Sequence, residues 1–163
     1  MPELPEVETT RRGIAPHILD REITGALVRQ TRLRWPVPPL RRLLVGHRVH
    51  AVERRAKYLL IRVGTGTLIV HLGMSGSLRV TRHDSPLRKH DHVELCFGDE
   101  GLRLHDPRRF GALLWTEDDP LAHPRLCRLG PEPLSEDFNA AYLRQRARGR
   151  RTPIKSLLMD GHV

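Results

Sequence analysis

Thiols are nearly absent. The sequence holds two cysteines, Cys96 and Cys127, and no C-x-x-C pair. Without closely spaced thiolates, no zinc ribbon lies within these residues. Aromatic residues are scarce as well, at 4%. No run of about 18 apolar residues occurs, so no transmembrane helix is expected. The start of the chain is acidic and lacks an apolar signal core. This argues against secretion and makes the cytoplasm the expected compartment. Repeats, low-complexity segments and long blocks of like charge are missing too. What remains is a chain of 163 residues, 39% apolar, which suits one domain or one domain and part of another.

Positive charge is what the sequence has in excess. Lys and Arg number 28 against 19 Asp and Glu, a formal net of +9. Most of the cations are arginine, whose planar fork matches phosphate. A polyanion is therefore the first partner to consider. The cations are interleaved with strand-like runs, which fits a folded binding surface better than a disordered tail.

Residues 3–14 read as a helix. Leu4, Val7, Arg11 and Ile14 share a face, acids come early, and Gly13 and Pro16 mark the exit. From Ile23 the pattern changes to short β-like runs over 23–35, 48–64, 66–73, 77–81, 92–97, 101–106 and 112–117. This spacing predicts a sandwich or barrel. "PPLRRLLVG" predicts a short helix between strands. After "LGPEPL", Ser135 is the expected N-cap of a helix ending at Gly149, and Thr152-Pro153 opens another. Two such helices bury little apolar surface alone, so the sequence reads as cut off inside a helical domain.

Several short stretches carry candidate chemistry. "MPELPEVE" puts Pro2 beside the start with Glu3, Glu6 and Glu8 behind it. This suits a first helical turn, or an N-terminal secondary amine exposed once Met1 is removed. Lys57 in "RRAKYLL" is a strand-edge lysine or a cation aimed at phosphate, with alternation placing it beside Leu59 and Ile61. Met74, between two glycines in "HLGMSGSL", is either packed at a turn or exposed at a loop tip. His90 and His92 in "KHDHVEL" could share a strand face. They have no evident third metal ligand, and a hydrogen bond from His90 to phosphate fits the charge better. "DPRRFG" starts a turn and sets Phe110 beside arginines, either as a wedge between bases or tucked into the core. Cys96, in an alternating run, is expected to be buried.

Together these motifs resemble the bacterial formamidopyrimidine-DNA glycosylase family, which also contains endonuclease VIII. The matching stretches are "PELPEVET" at 2–9, "RLRWPV" at 32–37, "RRAKYLL" at 54–60, "HLGMSGSL" at 71–78, "KHDHVEL" at 89–95, "DPRRFG" at 106–111 and "LGPEPL" at 129–134. "IKSLLMDG" near the end fits as well. "PELPE" resembles the formamidopyrimidine branch. The resemblance implies an α+β fold: an N-terminal helix and β-sandwich catalytic domain over 1–130, then the first helices of a helix–two-turn–helix DNA-binding domain over 131–163. Family members run longer, so the resemblance implies that this chain stops inside that domain and lacks a C-terminal zinc finger. No cofactor or metal is then expected in this chain.

The implied activity is excision of oxidised purines, 8-oxoguanine and formamidopyrimidines, from duplex DNA, followed by cleavage at the abasic site. By resemblance, Pro2 attacks the sugar and forms a Schiff base, Glu3 is its acid/base, and Lys57 contacts phosphate and donates a proton in elimination. His71, His90, Arg108, Arg150 and Lys155 match DNA-contact positions. Met74, Arg108 and Phe110 match the set that fills the gap left by an everted base. An α-amino group titrates at about 7.7–8, far below lysine at about 10.4, so an N-terminal amine is more readily a nucleophile. The expected partner is damaged double-stranded DNA, with no membrane and a monomeric state. The alternative is a catalytically impaired DNA-binding fragment or pseudoenzyme.

Overall fold

The computed structural model describes residues 1–163. Helix α1 spans Leu4–Ile18. Glu3 is its N-cap, and the Glu3 N–H donates to Glu6 Oε2 at 2.9 Å. Val7, Ile14 and Ile18 form the buried stripe. The helix thus runs past the exit expected at Gly13 and Pro16. Proline removes one donor in the last turn, whereas Ile18 adds a fully buried side chain one turn beyond Ile14.

Eight strands follow: β1 Gly25–Val28, β2 Val49–Arg55, β3 Tyr58–Val63, β4 Gly66–His71, β5 Ser77–Arg82, β6 Asp91–Phe97, β7 Glu100–His105 and β8 Ala112–Thr116. The short helix α2, Leu40–Leu44, lies between β1 and β2 and buries Leu40 and Leu44. The strands pair antiparallel in two four-stranded sheets, ordered β1-β6-β7-β5 and β2-β3-β4-β8. Alternation sends Leu59, Ile61, Leu68 and Val70 from one sheet, and Val93, Leu95, Leu102 and Leu104 from the other, into one core. The fold is α+β, as the sequence implies. No helix is long and apolar enough to cross a membrane.

Residues 48–64 form a hairpin rather than one run. Arg55 pairs with Tyr58 across a two-residue turn, Ala56–Lys57. Lys57 therefore sits at the turn and not on the Leu59/Ile61 strand face. Ala56 takes φ +50, and its carbonyl accepts a 2.9 Å hydrogen bond from Arg54 Nη1.

The chain divides into two compact units, Met1–Pro120 and Leu121–Val163. The division falls ahead of the expected boundary at 130, because residues 121–130 join the helical unit. Gly130 N–H donates to Gly161 O at 2.9 Å, and His162 Nδ1 donates to Arg128 O at 2.8 Å. Within this unit, α3 spans Ala140–Ala147 and α4 spans Ile154–Leu158. Asn139, not Ser135, caps α3: its side chain accepts from Tyr142 N at 3.0 Å, while Ser135 Oγ turns back to Glu132 O. Gly149 follows α3 at φ +75.

Candidate functional site

The start of α1 and the β2–β3 turn bring three predicted residues together. Pro2 is half-buried beside the helix N-cap. The Glu3 carboxylate forms an ion pair with Lys57 Nζ. These two residues are far apart in sequence, and a second acid holds their elements in place. Glu8 accepts from Arg11 and Arg12 on α1 and from Arg54 on β2, at 2.8–3.1 Å. Arg11 Nη1 also reaches Val52 O at 3.3 Å. Hydrogen bonds from Arg11 first, with Arg12 and Arg54, outweigh burial and hold the Glu8 carboxyl at about 2. One carboxylate thus fixes the helix that carries Glu3 against the strand that leads to Lys57.

A cavity of about 640 Å³ opens in the same unit. Met1, Arg34, His71, Met74, Arg108 and Phe110 are among its lining residues. His71, the last residue of β4, is half-buried and packs its ring 4.8 Å from Tyr58. Its Nδ1 accepts from Gly73 N–H at 3.0 Å. Burial, then the charges of Arg34 and Lys57, push its pKa below the usual imidazole value. With Nδ1 accepting, the neutral ring carries its proton on Nε2.

Two loops form one wall. Asp106 is fully buried; its carboxylate accepts from Ser75 Oγ at 3.0 Å and from Gly111 N–H at 2.8 Å. The Arg108 N–H donates to Ser75 Oγ at 3.3 Å. Gly73 sits at φ +66, and a Cβ there would lie 2.4 Å from the Phe110 carbonyl carbon. The Met74 loop and the Phe110 loop are thus interlocked. Met74 and Phe110 are exposed, at 41% and 44%, rather than tucked into the core. The Arg108 guanidinium lies 5.0 Å over the Phe110 ring.

The remaining predicted residues are His90, Arg150 and Lys155. His90 precedes β6 at φ +74, so it does not share a strand face with His92. Its ring contacts His92 and, unforeseen from the sequence, His105, at 5.8 and 6.1 Å. His92 Nε2 donates to Asp106 O and His105 Nδ1 pairs with Asp91, so both rings are engaged. Arg150 and Lys155 belong to the second unit. Both are exposed, and Arg150 lies 3.9 Å from Asp160. Sequence reading passed over Arg34, Ser75 and Asp106. Arg34 stands inside the motif at 32–37, and Asp106 by its local sequence is only a turn former. Cys96 is buried in the first unit and Cys127 is exposed in the second.

Fold and site together define a class: a helix-headed antiparallel sandwich with a cationic cavity beside its own N-terminus. Residues 1–113 match the family model for the formamidopyrimidine-DNA glycosylase N-terminal domain, and the chain belongs to that family. It is 61% identical to formamidopyrimidine-DNA glycosylase of Thioalkalivibrio sulfidiphilus and 59% identical to that of Methylococcus capsulatus, over 100% of this chain. In both cases it spans about 61% of the relative's length. Among solved structures, it is similar to wild-type Lactococcus lactis Fpg bound to DNA containing an oxidised pyrimidine. That match has a TM-score of 0.91 and 34% identity, over 99% of this chain and 62% of the other. A complex of the Lactococcus lactis protein with DNA containing an abasic site matches at TM-score 0.90 and 32% identity, over 99% and 61%.

Proposed function

We propose that this chain carries the nucleophile-bearing domain of a DNA base-excision repair glycosylase that removes oxidised purines and cleaves the resulting abasic site. Pro2 is the nucleophile once Met1 is removed, and its secondary amine gives an iminium directly, an electron sink for β-elimination. Glu3 handles protons at the sugar. Lys57 holds a phosphate and donates a proton. The cavity receives the everted sugar and base, and Met74, Arg108 and Phe110 occupy the vacated stack, offsetting an unstacking cost of a few kcal/mol. His71, His90, Arg108, Arg150 and Lys155 contact the DNA. The substrate is damaged duplex DNA, handled by a monomer in the cytoplasm.

The observation that carries this reading is the Glu3–Lys57 ion pair next to Pro2, in the unit whose cavity Met74, Arg108 and Phe110 line. Borohydride trapping on abasic-site DNA tests it. The expected result is a covalent adduct that maps to Pro2 by mass spectrometry and is absent from protein retaining Met1, where the proline nitrogen is an amide. Salt-sensitive DNA binding with no adduct would replace this reading with the impaired DNA-binding fragment.

A further inference from the structure

A second cluster of reactive side chains lies on the outer face of the β1-β6-β7-β5 sheet. Glu94 and Cys96, two apart on β6, share that face, while Val93, Leu95 and Phe97 point into the core. Cys96 is flanked by glycine on both neighbouring strands, Gly25 on β1 and Gly101 on β7. Added Cβ atoms would lie 3.4 Å from Cys96 Sγ at Gly25 and 2.3 Å from Glu94 Oε1 at Gly101. The missing side chains leave an opening, and His83, just after β5, folds over it. His83 Nδ1 lies 2.8 Å from Glu94 Oε1 and 3.6 Å from Cys96 Sγ. Buried Arg103 fixes this loop by donating to the carbonyls of His83, Ser85 and Pro86.

We propose that His83, Glu94 and Cys96 form a binding site for a late first-row divalent metal ion, with Zn²⁺ the ion this donor set suits. The site is separate from the cavity, and it departs from the sequence expectation of a chain without metal. Imidazole nitrogen, carboxylate oxygen and thiolate sulfur are the ligands Zn²⁺ takes, and all three atoms lie within 4.8 Å of one another. At usual zinc bond lengths, a tetrahedral angle separates nitrogen and sulfur by about 3.6 Å, the separation already present. Nitrogen and oxygen would open to about 3.4 Å, a movement available to His83, whose side chain is 46% exposed, and sulfur and oxygen, within 4.8 Å of each other, would close to about 3.6 Å.

The carboxylate is prepared for this role. Glu94 Oε2 pairs with Arg29 and Arg103 at 3.0 and 3.1 Å, which orients the group and leaves Oε1 toward His83 and Cys96. Burial, then Glu94, keeps the free Cys96 thiol protonated, so metal binding releases a proton.

The test is titration of the purified 163-residue chain with Co²⁺ as an optical probe, followed by displacement with Zn²⁺. One equivalent should bind, with a thiolate-to-cobalt charge-transfer band and tetrahedral d–d bands that Zn²⁺ abolishes. Cys96→Ala should remove the charge-transfer band, and Cys127→Ala should leave it unchanged. His83→Ala, on an exposed loop and checked for folding by circular dichroism, should weaken binding by at least about tenfold. A wild-type chain without the band, a band that survives Cys96→Ala, or one lost in Cys127→Ala would overturn the proposal.

Discussion

Met74 and Phe110 are large apolar side chains in contact with water, and their exposure separates stability from function. Truncating either to alanine should change unfolding free energy by no more than about 0.5 kcal/mol. Under the proposed function, the same changes should slow 8-oxoguanine excision more than cleavage at an existing abasic site, where no base needs to be everted. Rates on matched duplexes check this. Asp106 behaves in the opposite way. Asp106→Ala strands the Gly111 N–H and the Ser75 hydroxyl, at a cost of about 1–3 kcal/mol for buried groups left unpaired, readable as a lower urea midpoint. The sequence pointed to Arg108 and Phe110 because a turn with an aromatic beside arginines is a local pattern. It did not point to Asp106 as the tie, because its partner Ser75 lies 31 residues away and no local spacing encodes that contact.

At the scale of elements, α1 and β2 depend on Glu8. Its carboxyl is ordinarily at 4.5 and stands at about 2 in the fold. A depressed carboxyl stabilises the fold above its unfolded pKa, and that stabilisation fades as pH falls from 4.5 toward 2. With Glu8 side-chain exposure of 23% and Arg12 largely in solvent, the contribution at pH 7 is on the order of 2 kcal/mol. Glu8→Gln should therefore lower stability at pH 7, and the gap to wild type should close near pH 2. Urea melts across that range measure it. The strands were legible because short β-like runs rich in Val, Ile and Leu are separated by glycine, proline and polar turns. The β2–β3 turn was not, because Ala56–Lys57 carries none of the glycine or asparagine that usually marks a hairpin. Nor was the true end of α1, where burial of Ile18 outweighs a proline that locally signals a stop.

For the whole molecule, under the proposed function, the net charge of +9 makes DNA association a salt-dependent property. Each phosphate contact adds about −0.9 to the slope of log affinity against log salt. Lys57→Ala should make that slope shallower by about one unit, as fluorescence anisotropy between 50 and 200 mM salt would report. The interlocked Met74 and Phe110 loops bear on the same encounter. With Gly73 against the Phe110 backbone and Asp106 joined to both loops, the wedge of the proposed function would share the stiffness of the sandwich behind it. Between a stiff tip and a duplex, the duplex is the compliant body and takes up the strain. Deforming DNA costs least at pyrimidine–purine steps such as TA and CA. A lesion flanked by such steps should therefore be opened faster than the same lesion inside an A-tract, giving a neighbour preference without any contact to the neighbouring bases.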